Sequence, residues 1–305
     1  MILLWGVPYD PPLAAVERIL RRDGVKYAFL DQRAVLDSEL TLQVGERVSG
    51  KLWVQGETLP LEEIRAIYPR PFALEQIEPL ADVGRDSVAF RRAAAFQQLF
   101  SIWLDITPAK VLNRPRQMSL NYSKPYQASL IEAAGFAVPE TLLTTVPDAV
   151  RAFRTTQTGV IYKSISAVRS IVAQLEQQDE ARIQDVMWCP TQFQQRISGS
   201  EVRVHVVGEE VFASEIITSA DDYRYAFLSG ASLEIRAIDP TDAWADRCRR
   251  LAAAMGFPIA GIDLRRDHGI WYCFEVNPSP GFAYYQERTG QPIDEAVARL
   301  LCSWA

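Results

Sequence analysis

The 305-residue sequence has little of what several common kinds of site require. Its four cysteines, at positions 189, 248, 273 and 302, form no Cys-x-x-Cys pair, so neither a disulfide framework nor a zinc site is indicated. No apolar run approaches the length of a membrane span. The formal net charge of −6 argues against non-specific binding of nucleic acid, which needs a basic surface. We therefore expect a globular protein with no nucleic-acid partner and no membrane partner.

The first eight residues are apolar, but the stretch is short and has no basic lead-in. It predicts a buried first strand rather than a signal peptide. Since the cysteines suggest no oxidised framework, we expect the protein to be cytoplasmic.

Lysine is scarce as well: only positions 26, 51, 110, 124 and 163 are lysine. Arginine supplies nearly all of the remaining positive charge. Lys163 lies within the apolar stretch 159–165. Such a residue is either an edge lysine whose charge reaches solvent or a group that meets a negative charge. The polar residues described below favour the second interpretation.

Alternating strand and helix patterns predict an α/β (α+β) protein of three domains: an N-terminal α/β domain over 1–108, a central unit over 109–186 and a C-terminal unit over 187–305. The predicted helices are 11–22, 90–106, 123–134, 148–157, 241–255 and 294–304. The predicted strands are 2–7, 27–30, 51–55, 64–68, 111–115, 141–145, 160–165, 202–207 and 210–217, followed by a hairpin over 263–277.

The hairpin carries the clearest chemical signal. Asp267, His268 and Gly269 supply its turn. Glu275 and Asn277 are two residues apart on one strand, so both leave the same face, and a turn centred on His268 or Gly269 places Asp263 on that face too. Two carboxylates and an amide oxygen among apolar residues suit Mg²⁺, which takes its other ligands from water and phosphates. Mn²⁺ is the alternative cation.

Other polar side chains lie in or beside apolar strands in an order that suits ATP. Lys124 and Lys163 can neutralise phosphates, and Gln194 with Gln195 can meet adenine. Glu201 can accept from ribose hydroxyls, while Arg203 can reach the oxygens of a transferring phosphate. With the metal set, these residues fit ATP plus Mg²⁺.

The order of these motifs resembles the ATP-grasp superfamily, within the branch of ribosomal-protein glutamate ligase, glutathione synthetase and the microviridin-type peptide macrocyclases. The resemblance covers roughly residues 111–293. The motifs that carry it are Asn113-Arg114-Pro115, Asn121-Tyr122-Ser123-Lys124, residues 133–141, Tyr162-Lys163-Ser164, residues 193–199, residues 201–208, Gly261-Ile262-Asp263-Leu264 and residues 274–282.

The resemblance implies an ATP-grasp fold behind an N-terminal pre-ATP-grasp domain. It implies a ligase that makes an acyl phosphate from a carboxylate with ATP and joins it to an amine or a hydroxyl, on a small molecule, a peptide or a protein. The sequence leaves open whether the protein is a monomer or a homodimer. The implied catalytic residues are Arg203 and Lys163. The implied nucleotide contacts are Lys124, Lys163, Gln194, Gln195, Ile197 and Glu201, and the implied metal ligands are Asp263, Glu275 and Asn277. A phosphotransferase and a non-catalytic nucleotide-binding module are the alternatives.

The sequence departs from the family pattern at two points. The stretch 164–170, which follows the second lysine, is serine-rich and lacks glycine, although its backbone N–H groups and Arg169 can still meet phosphate. Gln195 stands where a glutamate is common, which keeps hydrogen bonding but not charge. Structural roles remain alternatives for Lys124 and Arg203. His205 is expected to be a packed residue, and Tyr284 and Tyr285 either core residues or a substrate wall.

Overall fold

The computed structural model describes residues 1–54, 56–165, 172–218, 230 and 232–305. The helices are α1 (Pro11–Arg22), α2 (Val88–Ile106), α3 (Pro115–Met118), α4 (Lys124–Ala133), α5 (Pro147–Thr156), α6 (Asp242–Ala254), α7 (Ala283–Thr289) and α8 (Ile293–Trp304). None of the helices in these ranges combines the length and the apolar character that crossing a bilayer requires.

Sixteen strands in the described ranges combine with these helices, which confirms the predicted mixed α/β class. They are β1 (Ile2–Gly6), β2 (Tyr27–Asp31), β3 (Glu39–Val44), β4 (Val48–Val54), β5 (Glu57–Pro60), β6 (Ala66–Arg70), β7 (Lys110–Val111), β8 (Thr141–Thr144), β9 (Val160–Ser164), β10 (Ala173–Gln174), β11 (Thr191–Gln195), β12 (Ser200–Val207), β13 (Glu210–Thr218), β14 (Leu233–Ile238), β15 (Ile259–Asp267) and β16 (Ile270–Asn277). Gln55, predicted as the end of a hairpin strand, lies outside the described residues.

The first part of the chain forms a parallel sheet in the order β2-β1-β6-β7, which we call the N-terminal sheet. Every residue of β1 is buried, as expected for a central parallel strand covered on both faces. Asp10 caps the N-terminus of helix α1, and its carboxylate accepts a hydrogen bond from Leu13 N. Strands β3, β4 and β5 form a separate antiparallel sheet beside it.

A second sheet, the central sheet, has the order β10-β9-β11-β8. Its apolar face packs on α5 around six buried residues, among them Val160 and Phe193. Strand β11 pairs with both β8 and β9, although the sequence had placed residues 187–195 in the C-terminal unit. The strand belongs here because Phe193 closes this small core.

The third sheet, the C-terminal sheet, is antiparallel in the order β14-β13-β12-β15-β16. Side chains alternate along β12, so that Val202, Val204 and Val206 enter the core while Arg203 and His205 face the other side. The core beneath this sheet contains 17 buried residues and includes α6. Helix α4 packs on the same core through Ile131, although its residues had been assigned to the central unit.

The N-terminal and C-terminal sheets share one apolar cluster. Helix α8 packs against α1 and β6, and the cluster joins Ile2, Leu13 and Tyr68 to Phe282 and Val297. These two parts of the chain are therefore held together by a continuous core. The cluster of the central sheet is separate from it.

Candidate functional site

A row of charged residues crosses three strands of the C-terminal sheet. Arg203 on β12 lies directly opposite Asp263 on β15, and Asp263 lies directly opposite Glu275 on β16. The Arg203 guanidinium donates from Nη1 to Asp263 Oδ1 at 2.5 Å. Asp263 and Glu275 therefore lie on one face of the sheet, as predicted.

The convergence depends on an irregularity that the sequence did not reveal. The turn of the β15–β16 hairpin consists of His268 and Gly269, with Asp267 opposite Ile270. A regular ladder from that turn would put Asp263 opposite Phe274 and would send Glu275 to the other face. The register shifts by one residue beyond Leu264 and Cys273, so that Asp263 meets Glu275 instead.

Glu275 lies among positive charges. Lys124, the first residue of α4, reaches it with Nζ 3.1 Å from Oε2, and Lys124 Nζ also donates to Asn121 Oδ1 at 2.9 Å. Burial alone would raise the pKa of Glu275, but the charges of Lys124, Lys163 and Arg203 lower it below its ordinary value. Glu275 is therefore a stable carboxylate at neutral pH.

The helix that carries Lys124 is fixed to the strand that carries Glu275. Gln127, buried in α4, donates from Nε2 to Val276 O at 2.9 Å and accepts from Val276 N at 2.9 Å. A buried amide that satisfies both backbone groups of one residue sets the distance between the two elements. Gln127 was not identified from the sequence, although a glutamine amid the small and apolar residues of this helix was a usable signal.

Arg203 is almost completely buried, with 6% of its surface exposed. Its guanidinium lies over Gly261, where a β-carbon would come within 2.2 Å of Nη2 and within 2.8 Å of Pro280 Cβ. The guanidinium carbon is 5.7 Å from the centre of the Tyr285 ring. Glycine at position 261 is required here for space rather than for backbone conformation.

His205 lies on the same face as Arg203 and is fully buried. Its ring packs edge-on against Tyr285 with 5.0 Å between centroids, and neither ring nitrogen has a hydrogen-bond partner among the described residues. Burial first, and the charge of Arg203 second, lower the pKa of His205 well below 6.5. His205 is therefore neutral and packed. Tyr285 is a core residue, whereas Tyr284 beside it is partly exposed.

The central sheet presents a polar face that includes Lys163. Gln192 is opposite Lys163, and Gln194 is opposite Ile161, so these side chains share a face, while Phe193 and Tyr162 lie on the apolar side. Gln194 donates from Nε2 to Thr141 Oγ1 at 2.9 Å. Lys163 is near enough to Glu275 for its charge to act on that carboxylate.

Gln194 and Gln195 do not form a pair on one face. Strand alternation turns the Gln195 side chain to the opposite side from Gln194, where its Oε1 accepts weakly from Glu140 N at 3.4 Å. Gln192, two residues before Gln194, shares the face with Lys163 instead. It was overlooked, although the alternation Gln192-Phe193-Gln194 indicated it.

Glu201 and Ile197, two of the predicted nucleotide contacts, both interact with Arg265. Glu201 pairs with Arg265 on the neighbouring strand, 2.8 Å between Oε2 and Nη2. Arg265 also donates to Ile197 O at 2.8 Å, and Ile197 itself is buried. These groups frame one side of the sheet, and the role of Arg265 was not found from the sequence. The serine-rich stretch 166–170, with Arg169, lies outside the described residues.

The oxygen donors on β15 and β16 suit a divalent cation. Asp263 and Glu275 are partly exposed, at 23% and 31% of their side-chain surface. Asn277 Oδ1 accepts from Ser279 N at 2.8 Å and retains a second lone pair. In the ranges that the structure describes there is no cluster of three His, Cys, Asp or Glu side chains with metal geometry. A cation here would need water or phosphate oxygens as well, as Mg²⁺ usually does.

Comparison with known proteins gives consistent results. The RimK-like ATP-grasp domain family matches residues 124–301, more than half of the chain. A probable alpha-L-glutamate ligase of Chromohalobacter salexigens is 27% identical over 233 residues, which is 72% of this chain and 75% of that protein.

Solved structures resemble the chain over its whole length. The ATP-grasp ligase PsnB, complexed with a minimal precursor, is 28% identical with a TM-score of 0.81, over 99% of this chain and 98% of that one. A RiPP-associated ATP-grasp ligase of Chryseobacterium gregarium, in complex with ADP and a leader and core peptide, has a TM-score of 0.83 over 100% of this chain and 97% of that one. At 19% identity it supports the fold alone.

The predicted ATP-grasp fold is confirmed by these likenesses. Taken with the family match, they show that the chain belongs to the RimK-like ATP-grasp family and is an ATP-grasp ligase.

Proposed function

We propose that this ligase activates a carboxylate with ATP as an acyl phosphate and joins it to an amine or a hydroxyl of a peptide. The observation that carries the proposal is the meeting of Lys124, Lys163 and Arg203 with Glu275 and Asp263. Three cations around two carboxylates form a site in which phosphates and a cation can exchange partners without a large change in net charge.

The residues have distinct roles in this proposal. Lys124 and Lys163 meet the α- and β-phosphates, and Arg203 meets the γ-phosphate from its seat above Gly261. Asp263, Glu275 and Asn277 would hold Mg²⁺, which offsets negative charge on the phosphates as the phosphoryl group moves. Gln192 and Gln194 face the nucleotide side of the central sheet, with Ile197 and Gln195 at its end and Glu201 towards the ribose.

The proposed chemistry has two steps. An oxygen of the substrate carboxylate attacks the γ-phosphorus, the bond to the β-phosphate oxygen breaks, and ADP leaves. An amine or hydroxyl then attacks the acyl carbon, loses its proton and displaces phosphate. Arg203 would stabilise charge on the transferring phosphoryl oxygens, because a positioned guanidinium contributes most where charge develops. No covalent intermediate with the protein is needed.

A peptide substrate is favoured over a small molecule by the structural likenesses. PsnB, at 28% identity and over almost the whole chain, was solved with a minimal precursor and with Mg and ADP, and in another structure with a precursor peptide. We extend the peptide class and the use of Mg²⁺ from that protein to this one. Location in the cytoplasm, the homodimer and the boundaries of the three domains stay predictions from the sequence.

Trapping with hydroxylamine tests the proposal. Purified protein is mixed with ATP, Mg²⁺, hydroxylamine and synthetic peptides that carry Asp or Glu side chains. We expect a peptide hydroxamate together with ADP, since hydroxylamine captures an acyl phosphate. A stable phosphorylated peptide would indicate a phosphotransferase instead. Failure of the wild type to bind ATP in calorimetry, with or without Mg²⁺, would contradict the proposal.

A further inference from the structure

Arg70 is a buried charged residue of the N-terminal sheet that the proposed chemistry does not use. It is the last residue of β6, and only 10% of its side chain is exposed. Its Nε lies 2.5 Å from Asp10 Oδ2, and Asp10 is itself fixed as the N-cap of α1. Burial of a guanidinium is costly unless its hydrogen bonds are satisfied. The position of Arg70 therefore depends on the groups that accept these hydrogen bonds.

The other hydrogen bonds of Arg70 leave the N-terminal sheet. Its Nη1 donates to Ser279 Oγ at 3.0 Å and to Pro280 O at 3.1 Å. Both acceptors belong to the short segment that follows β16, directly after the candidate metal ligand Asn277. One guanidinium therefore fixes this segment to two elements of the N-terminal part, the end of β6 and the start of α1.

The same segment touches the seat of Arg203. A β-carbon at Gly261 would come within 2.8 Å of Pro280 Cβ and within 2.7 Å of Arg203 Cζ, so the proline ring and the catalytic guanidinium are neighbours over that glycine. Ser279 N donates to Asn277 Oδ1 at 2.8 Å. A shift of Ser279 and Pro280 would therefore disturb both Arg203 and Asn277.

We propose that Arg70 is a positioning residue for the ligase reaction: it holds Ser279 and Pro280 against the seat of Arg203, and so makes the active geometry depend on the N-terminal part of the chain. The inference rests on the proposed role of Arg203. It does not require Arg70 to touch either substrate. Displacement of a catalytic group by about 1 Å can cost on the order of 10²-fold in rate, which sets the size of the expected effect.

The test is a double-mutant cycle with Arg70→Met and Arg203→Met, using the peptide that gives most ADP with hydroxylamine. We expect Arg70→Met to lower kcat on the order of 10²-fold with little change in the KM for ATP. In the Arg203→Met background, Arg70→Met should lower kcat by no more than roughly twofold, because the effects of mutations at coupled residues do not add. Arg70→Lys should restore part of the rate.

The matched control is Arg22→Met. Arg22 on α1 pairs with Glu295 on α8 at 3.1 Å, which joins the same two parts of the chain at an exposed position. This variant should keep the wild-type rate. Ser279→Ala removes one of the two bonds from Arg70 to the segment without removing a buried charge, and should lose an intermediate share of kcat. This variant tests the role of the contact between Arg70 and Ser279 even if Arg70→Met folds poorly.

The outcomes separate the two ideas. If Arg203→Met lowers kcat while Arg70→Met and Ser279→Ala match Arg22→Met, then Arg70 does not position the site and the inference is wrong. An additive cycle would also contradict it, since Arg70 would then act independently of Arg203. If Arg203→Met itself keeps the wild-type rate, the proposed function of Arg203 fails instead.

Discussion

The central and C-terminal sheets both bring charged groups to the candidate site, yet they hold these groups in different ways. The C-terminal sheet pairs its charges between its own strands, as in Arg203 with Asp263, above a core of 17 buried residues. The central sheet presents Lys163, Gln192 and Gln194 above a core in which six of the described residues are buried. The charges of the C-terminal sheet are thus held in place by one another, whereas the central sheet offers a smaller polar face.

The difference suggests a division of work between the two sheets. Groups fixed on a well-packed sheet suit the phosphoryl transfer step, which is sensitive to small displacements. Groups on the smaller central sheet, which has its own core, suit contacts that bind ATP without taking part in the transfer step. Substitutions in the C-terminal sheet should therefore lower kcat, and substitutions in the central sheet should mainly weaken ATP binding.

The strongest test of this division is Glu275→Gln. It removes the charge that opposes Lys124 and replaces an expected carboxylate ligand of Mg²⁺ by a neutral amide, so we expect kcat to fall by about 10²–10³-fold. Rates of ADP release at saturating ATP give the measurement. The control is Glu234→Gln, the same change at an exposed position of the same sheet. Wild-type turnover in Glu275→Gln would remove Glu275 from the metal site.

A somewhat smaller loss is expected from Gly261→Ala. The new methyl group must displace the Arg203 guanidinium or Pro280, because it would lie 2.2 Å from Nη2. We expect kcat to fall by about 10- to 100-fold and the free energy of unfolding to fall by about 1–3 kcal/mol. Gly84→Ala, where no atom lies within 4 Å of the new β-carbon, is the control. Equal activity of the two variants would show that the position of the guanidinium is not critical.

On the central sheet, Lys163→Met should act on binding. Loss of one charged contact with phosphate should weaken ATP affinity by roughly tenfold or more, which calorimetry in the presence of Mg²⁺ measures. Lys51→Met, at an exposed strand position remote from the site, should bind ATP as the wild type does. A large fall in kcat with unchanged affinity would assign Lys163 to the transfer step and weaken the proposed division.

The smallest effect concerns His205 and stability. Because burial and Arg203 lower its pKa well below 6.5, the unfolded chain takes up a proton at this residue that the folded chain does not. The wild type should therefore lose stability as the pH falls below 6.5, by up to about 1.4 kcal/mol per pH unit. His205→Phe should lose less over the same range in urea unfolding.

His268→Asn is the control for that measurement. His268 is exposed at the turn of the β15–β16 hairpin with a φ of 45°, and asparagine tolerates this backbone conformation. This variant should keep the pH dependence of the wild type. If His205→Phe keeps it too, His205 is not the group responsible.

Much of the fold could be predicted from periodicity. The helices at 11–22, 90–106 and 294–304 and three of the four strands of the N-terminal sheet were placed within a few residues. Strands β3, β5, β10 and β14 and helices α3 and α7 were missed. The assignment of β11 and α4 to particular units differed from the structure, because pairing and packing partners lie far apart in sequence.

The candidate site shows a sharper limit. Regular alternation would have separated Asp263 from Glu275, and only the extra residue near Phe274 returns them to one face. Nothing in the local sequence marks that shift. The hairpin pattern and the resemblance to a known family both pointed to the carboxylates, whereas Gly261, Gln127 and Arg70 act through long-range contacts that strand or helix patterns do not encode.

The apolar cluster shared by α1 and α8 has a consequence for engineering. An exchange of residues 1–108 between relatives would cut through this cluster. Such a chimera would leave α8 and Phe282 against an unfamiliar surface, and it would separate Arg70 from Ser279. A workable graft must therefore take its last helix and the segment after β16 from the same parent as its first domain.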